Sequence, residues 1–267
     1  TETAEFADIV LPATMFLEHD DMYTGGGHVY FSVTKPVINA PGQCRSNHEL
    51  MCALAERLGL DHPGFKLTAW EIIKETCQIS GLPDAETLWR NHWHDCSLGE
   101  DEMHFKNGFG HADKKFRFKP NWAEIGPDFE GMPSLPGYYN NIDLANDKHP
   151  FRMVAAPARN YLNSSFTETP TSKKREGRPN IKLHPDDLVA LGAKGGDVLQ
   201  VGNDLGKIEV HAVSFDGLQR GVCVVESIWP NKAHIRKQGV NVLISAESGQ
   251  PKGGGVFHDT AVWVKAT

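Results

Sequence analysis

The chain has 267 residues, 40% hydrophobic and 23% charged, enough for one large or two medium cores and ordinary for a globular protein. Its formal charge of −7 speaks against nucleic acid or a membrane surface as partner, since both favour basic faces, and no apolar run approaches the ~20 residues that span a bilayer. Five irregularly spaced cysteines, with no C-x-x-C pair, argue against a disulfide framework, a zinc ribbon or an iron–sulfur site within these residues. Thr1-Glu2-Thr3-Ala4 lacks the basic start and apolar stretch of a secretion signal, so a cytoplasmic location is expected, with a periplasmic one left open.

The apolar run Ile9 to Leu11, stopped by Pro12, predicts a short buried strand leading into a loop. Thr24 to His28 reads as a turn, and "VYFSVTKPVI" as a strand broken at Pro36. A helix is predicted from Asn47, with Leu50, Leu54 and Leu58 at i, i+4 and i+8 and Gly59 as its stop. A second starts at Thr68, where T-x-x-E to Glu71 is a capping box, carries Ile72, Ile73 and Cys77, and stops at Gly81. A third, short helix runs from Pro83-Asp84 through Trp89. Residues 99–150 are rich in Gly, Pro, Asn and Asp and read as long loops with a short strand at Phe116–Phe118; a domain boundary is placed between 147 and 148.

Beyond it the texture turns to β. "FRMVAAP", "NIKLH", "DVLQVGN", "KIEVHAVSF", "GVCVVES", "NVLIS" and "TAVWVKA" are seven strand candidates separated by turn signals such as Asn203-Asp204-Leu205-Gly206. Ile208, Val210 and Ala212 alternate with Glu209 and His211, the mark of a half-buried strand. Pro185 opens a short helix that ends at Gly192. Many short strands in about 115 residues predict a compact β-barrel.

Some residues carry chemistry. Arg159, Asn163, Ser164, Ser165 and Thr167 offer the cation, amide and hydroxyls that a pyrophosphate requires, although a Ser-rich surface turn presents the same string. Lys173, Lys174, Arg175 and Arg178 suit steering or contacting phosphates, although a run of charges is more often a solvated loop, the reading preferred here. His92, His94 and Cys96 alternate in "NHWHDC", but no second cluster of recognised spacing completes a metal site; Glu18 to Asp21 reads as a loop or helix start.

Several stretches together resemble the molybdopterin oxidoreductases of the dimethyl sulfoxide reductase family. "TETAEFADIVLPAT" resembles the family's T-x-T-A-x-x-A-D-I-V-L-P segment. "HDDMYTGGGHVYF" and "KPVINAPGQCRSNHELMCALAERLGL" resemble the family's next two segments, with Gln43 and Cys44 where it usually has an acidic and a small residue. "RNYLNSSFTE", "IKLHPDDLVALGAKGGDVLQVGNDLGKIEVHA", "GVNVLISAESG" and "GGGVFHDTAVWV" resemble successive parts of its dinucleotide-binding domain, with Asn241-Val242-Leu243-Ile244 replacing the commoner Asn-x-Leu-Thr. The resemblance implies an α/β portion over residues 1–147, the tail of the catalytic domains, followed by a double-psi β-barrel over residues 148–267.

It further implies a molybdopterin guanine dinucleotide cofactor carrying molybdenum or tungsten. Arg159, Asn163, Ser164, Ser165 and Thr167 would face its pyrophosphate, Asp187 its guanine edge, Asn241 its pterin, and His258 would lie close by. Asp187 also suits a helix start, where a carboxylate opposes the dipole, and Asn241 suits a turn. Trp229 is expected near the cofactor or in the core. The metal's protein ligand is expected in a missing N-terminal region of the same polypeptide, which can also hold an iron–sulfur cluster; an electron-transfer subunit is a further expected partner. These residues alone are therefore expected to be inactive. The alternative is a non-catalytic dinucleotide-binding module, or a piece with no ligand of its own.

Overall fold

The structure, a computed structural model, describes residues 2–129, 131–135, 137, 143–226, 228–247, 249 and 254–267. In chain order its elements are α1 (Glu2–Phe6), β1 (Asp21–Thr24), β2 (Tyr30–Thr34), α2 (Asn47–Arg57), α3 (Ala69–Ile79), α4 (Ala85–Asn91), β3 (His94–Asp95), α5 (Trp122–Ile125), β4 (Phe151–Ala156), α6 (Pro170–Glu176), β5 (Asn180–Leu183), α7 (Pro185–Ala190), β6 (Val198–Gly202), β7 (Lys207–Ser214), β8 (Val222–Glu226) and β9 (Thr260–Ala266). They form two compact units, residues 7–116 and residues 1–6 with 117–267. Residues 117–147, expected in the first domain, thus group with the second unit.

In the unit of residues 7–116, β1, β2 and β3 form an antiparallel sheet, with Asp21 opposite Thr34 and Tyr30 opposite Asp95. Phe31 and Val33 share a core with Ile73 and Cys77 of α3 and with Ala85 and Leu88 of α4. The three predicted helices all form. Thr68 and Glu71 make the expected capping box, and Ser46 and Glu49 make a second one at the start of α2. The leucine stripe of α2 is not core: Ala55 is its buried residue, while Leu54 and Leu58 are exposed.

Two strand expectations fail in this stretch of chain. Ile9, Val10 and Leu11 lie outside any strand and are 77%, 57% and 60% exposed; the nearest pairing is an isolated bridge from Ala13 to Arg45. Apolar composition makes a strand only where a ladder partner exists, and among the described residues none is offered to this run. Phe116–Phe118 is likewise irregular.

The second unit holds a closed barrel in the order β4-β8-β5-β7-β6-β9. β4 pairs β8 and β5 pairs β7 in parallel; the other ladders are antiparallel. Alternate residues fill the interior: Met153, Ile181 and Leu183, Leu199 and Val201, Ile208 and Val210, Cys223 and Val225, Val262. The strands are steeply staggered, so that Phe151 at the start of β4 stands opposite Val262, beside the Trp263 that pairs with Gly202 at the end of β6. A Cβ on Gly202 would come within 2.3 Å of the Trp263 ring, so only glycine fits there.

Six of the seven strand candidates are strands. "NVLIS" is instead a 3-10 turn, Val240–Leu243, whose Val240 and Leu243 plug the barrel core while the Asn203 amide donates to the Leu243 carbonyl at 2.7 Å. Apolar burial is achieved without a ladder, because the barrel is already closed. The basic run is a loop only at Arg178. Lys173, Lys174 and Arg175 form the last turn of α6, where cations oppose the helix dipole, and Pro170 occupies its first turn.

Candidate functional site

Strand directions sort the loops between two ends of the barrel. β4, β8 and β6 run one way and β5, β7 and β9 the other. At one end the chain leaves β4 at Ala156, β8 at Glu226 and β6 at Gly202, and enters β5 at Asn180, β7 at Lys207 and β9 at Thr260. The β4–α6 loop, the described residues between β8 and β9, and the turn at Asn203–Gly206 belong to this end. Arg159, Asn163, Ser164, Ser165, Thr167, Asn241 and His258 are all delivered there. Asp187, on α7 after β5, belongs to the opposite end.

The β4–α6 loop is built from its own sequence. Leu162 and Ser165 form an isolated bridge around a turn in which Asn163 takes a φ of 51°, a conformation asparagine tolerates. The Thr167 hydroxyl donates to the Ser164 carbonyl at 2.9 Å and is buried, so Thr167 holds the turn. Arg159, Asn163, Ser164 and Ser165 are exposed. Beneath them Ala158, Tyr161 and Trp229 form a small core, with the Tyr161 and Trp229 rings edge to face at 5.0 Å. Lys232 Nζ lies 3.2 Å from Glu168 Oε1, a second tie between this loop and the segment after β8. Asn241 is exposed on the turn that Val240 and Leu243 anchor; His258 is exposed, its ring 4.4 Å from that of Phe257.

Four buried polar atoms on the segments of this end have no hydrogen-bond partner among the described residues: Tyr161 Oη, Asn180 Oδ1, His234 Nδ1 and Thr260 Oγ1. Burial, with Glu176 and Glu168 nearby, pushes the Tyr161 phenol up, and burial holds the His234 imidazole below its usual range. A buried polar atom without a partner costs about 1–3 kcal/mol, so these four atoms mark polar positions that the fold leaves unanswered among the described residues. The exposed guanidinium, hydroxyls, amides and imidazole delivered to this end suit an anionic ligand with amide-like ring edges. Sequence reasoning missed Tyr161 and His234; Tyr161 sits inside the "RNYLNSS" string already singled out for its polar residues, whereas nothing local marks His234.

At the opposite end, Asp187 is 5% exposed and its carboxylate accepts from Arg220 Nε at 3.0 Å and Gly221 N at 2.8 Å. It fastens α7 to the start of β8. Burial, and then the Asp187 charge, pushes the neighbouring Cys223 thiol up to about 12. The expected acceptor is therefore engaged within the fold, away from the other seven residues.

In the unit of residues 7–116, a cavity of about 570 Å³ is lined in part by Thr14, His19, Cys44, His48 and Cys52. His19 Nδ1 is 2.7 Å from Thr14 Oγ1, and burial raises the Asp20 carboxyl. His92 ends α4, and His94 lies on β3, paired with Phe31.

A family described as the molydopterin dinucleotide binding domain matches residues 151–261, and one described as molybdopterin oxidoreductase matches residues 1–57. The chain is 28% identical over 276 residues to a probable oxidoreductase, YoaE, of Bacillus subtilis (strain 168), covering 99% of this chain and 38% of that one. It is 26% identical over 288 residues to a dimethyl sulfoxide/trimethylamine N-oxide reductase of Rhodobacter capsulatus, covering 94% of this chain and 35% of that one. The chain thus spans little more than a third of the length of these relatives. Acetylene hydratase from Pelobacter acetylenicus shares the fold, with a TM-score of 0.80 at 17% identity over 100% of this chain and 39% of that one.

Proposed function

Because the chain belongs to the molybdopterin oxidoreductases of the dimethyl sulfoxide reductase family, we propose that residues 148–267 are a double-psi β-barrel that binds the dinucleotide of a molybdopterin guanine dinucleotide cofactor. Residues 1–147 belong, on this reading, to the α/β catalytic body of a longer enzyme, whose remainder supplies the metal's protein ligand. The observation that carries the proposal is the delivery to one barrel end of polar residues from two separate segments, the β4–α6 loop and the chain between β8 and β9, together with buried polar atoms that have no partner among the described residues.

The bound cofactor supplies a molybdenum or tungsten centre for two-electron redox chemistry such as oxygen-atom transfer. This chain's residues bind and orient. The Arg159 guanidinium pairs with the pyrophosphate, and Asn163, Ser164 and Ser165 donate to its oxygens. Asn241 both donates and accepts, which matches a pterin edge, and His258 adds a donor nearby. Thr167 acts through the turn it closes. Asp187 takes no part, since its carboxylate already accepts from Arg220 and Gly221. An iron–sulfur cluster elsewhere in the polypeptide, or an electron-transfer subunit, would supply the electrons on this reading.

The test uses the full-length enzyme. Arg159→Ala and Asn241→Ala are expected to lower both molybdenum, by elemental analysis, and guanine nucleotide released on acid hydrolysis. The loss of one charged or bidentate group costs on the order of 1–3 kcal/mol. Full occupancy with normal turnover in both variants would overturn the assignment.

A further inference from the structure

We propose that Glu176 and Glu2 are positioning residues that hold the two main ligand loops in their binding shape, each through a neighbouring asparagine; the inference rests on the cofactor reading above. The two clamps are alike. Immediately after Arg159, Asn160 donates both its main-chain N–H, at 2.7 Å, and its side-chain amide, at 2.6 Å, to Glu176 Oε1 at the end of α6. In the segment after β8, Asn231 donates its main-chain N–H to Glu2 Oε1 and its side-chain amide to Glu2 Oε2 at 3.0 Å.

Each clamp reaches a ligand residue. Arg175 Nη1 donates to Asn160 Oδ1 at 3.5 Å, so the amide next to Arg159 is held on both its atoms. Asn231 Oδ1 accepts from Gly239 N at 2.7 Å, which closes residues 231–239 into a ring and fixes the chain two residues before Asn241. A Cβ on Gly239 would meet Asn231 Oδ1 at 2.9 Å, so this closure leaves no slack. The two loops are joined to each other by Tyr161 with Trp229 and by Lys232 with Glu168. Carboxylates beside an anionic ligand would repel it if bare. Here they are turned onto backbone and amide donors, and their product is a loop whose shape exists before the ligand arrives. Loops already ordered lose less entropy on binding, so the clamps act mainly on how long the dinucleotide stays bound.

The experiment measures release of guanine nucleotide from the full-length holoenzyme in wild type, Glu176→Ala, Glu2→Ala, Glu176→Gln and Arg159→Ala, together with the melting temperature of each cofactor-free protein. Glu176→Ala and Glu2→Ala are expected to release nucleotide about tenfold faster, more than any fall in the cofactor-free melting temperature accounts for. Glu176→Gln retains the accepting Oε1 and is expected to restore the wild-type rate. Wild-type release from both alanine variants, with faster release from Arg159→Ala, overturns the positioning role and leaves the cofactor reading standing. Wild-type release from all three overturns the cofactor reading itself. Faster release that merely follows a lower cofactor-free melting temperature reduces the clamps to general loop staples and also overturns the proposal. Should Glu176→Ala fail to fold, Asn160→Ser, which keeps the main-chain bond and deletes the amide one, is measured in its place against the same outcomes.

Discussion

Asp187 illustrates how a residue type suits two tasks and how only its partners choose between them. With both its oxygens accepting from Arg220 and Gly221, Asp187→Ala leaves the half-buried Gly221 N–H and the Arg220 guanidinium without this acceptor. It is expected to lower the unfolding free energy by about 1–3 kcal/mol in a urea titration, without lowering the guanine nucleotide content of the folded enzyme. Cys223 lies beside it, fully buried, with a thiol pushed up to about 12. At pH about 8 an alkylating reagent should therefore label exposed Cys96 and leave Cys223 unmodified until the protein is denatured, as read by peptide mass spectrometry. His234 sets a pH dependence. Burial holds its imidazole below the ordinary 6.5, so the folded protein keeps it neutral while the unfolded chain takes up a proton as pH falls through 6.5. This contribution favours the folded state above about 6.5 and is lost on acidification. Melting temperature should fall between pH about 7 and about 5, and fall less in His234→Gln.

Among the elements, α3 is legible because its signals agree: a Thr68-x-x-Glu71 box, then Ile72, Ile73 and Cys77 on one side. Thr68→Ala should cost about 1 kcal/mol by denaturant titration. The Ser46–Glu49 box has the same spacing, yet the more conspicuous signal for α2 is its leucine stripe, which the fold leaves largely exposed. "NVLIS" shows the limit of composition: its residues are strand formers, and it plugs a closed barrel as a turn. α6 is hidden by its charges, although Pro170 marks a helix start. Gly202 is where two elements meet most tightly. Gly202→Ala must displace the Trp263 ring, and the expected destabilisation of about 1–3 kcal/mol is checked by the same titration.

For the whole molecule, residues 97–118 contain little regular structure and are largely exposed, so limited proteolysis should cut there first and leave a resistant product containing the barrel. A resistant product that ends before residue 151 would contradict this. Purified as these 267 residues alone, the chain is expected to hold well below one molybdenum or tungsten per molecule and to show no turnover, since the proposed metal ligand lies outside them. Stoichiometric metal with turnover would refute that placement.

Short-range signals, then, were enough for the helices over residues 47–91 and the six barrel strands, because caps, alternation and turn residues act within a few positions of the chain. Tertiary structure alone decided that Ile9–Leu11 is not a strand, that Asp187 belongs to the other end of the barrel, that Tyr161 and His234 stand buried with atoms that have no partner among the described residues, and that Glu2 meets Asn231 across 229 positions. Each of these depends on what a residue lies against after the barrel closes, and strand direction and stagger, which set that, leave no mark in the local sequence.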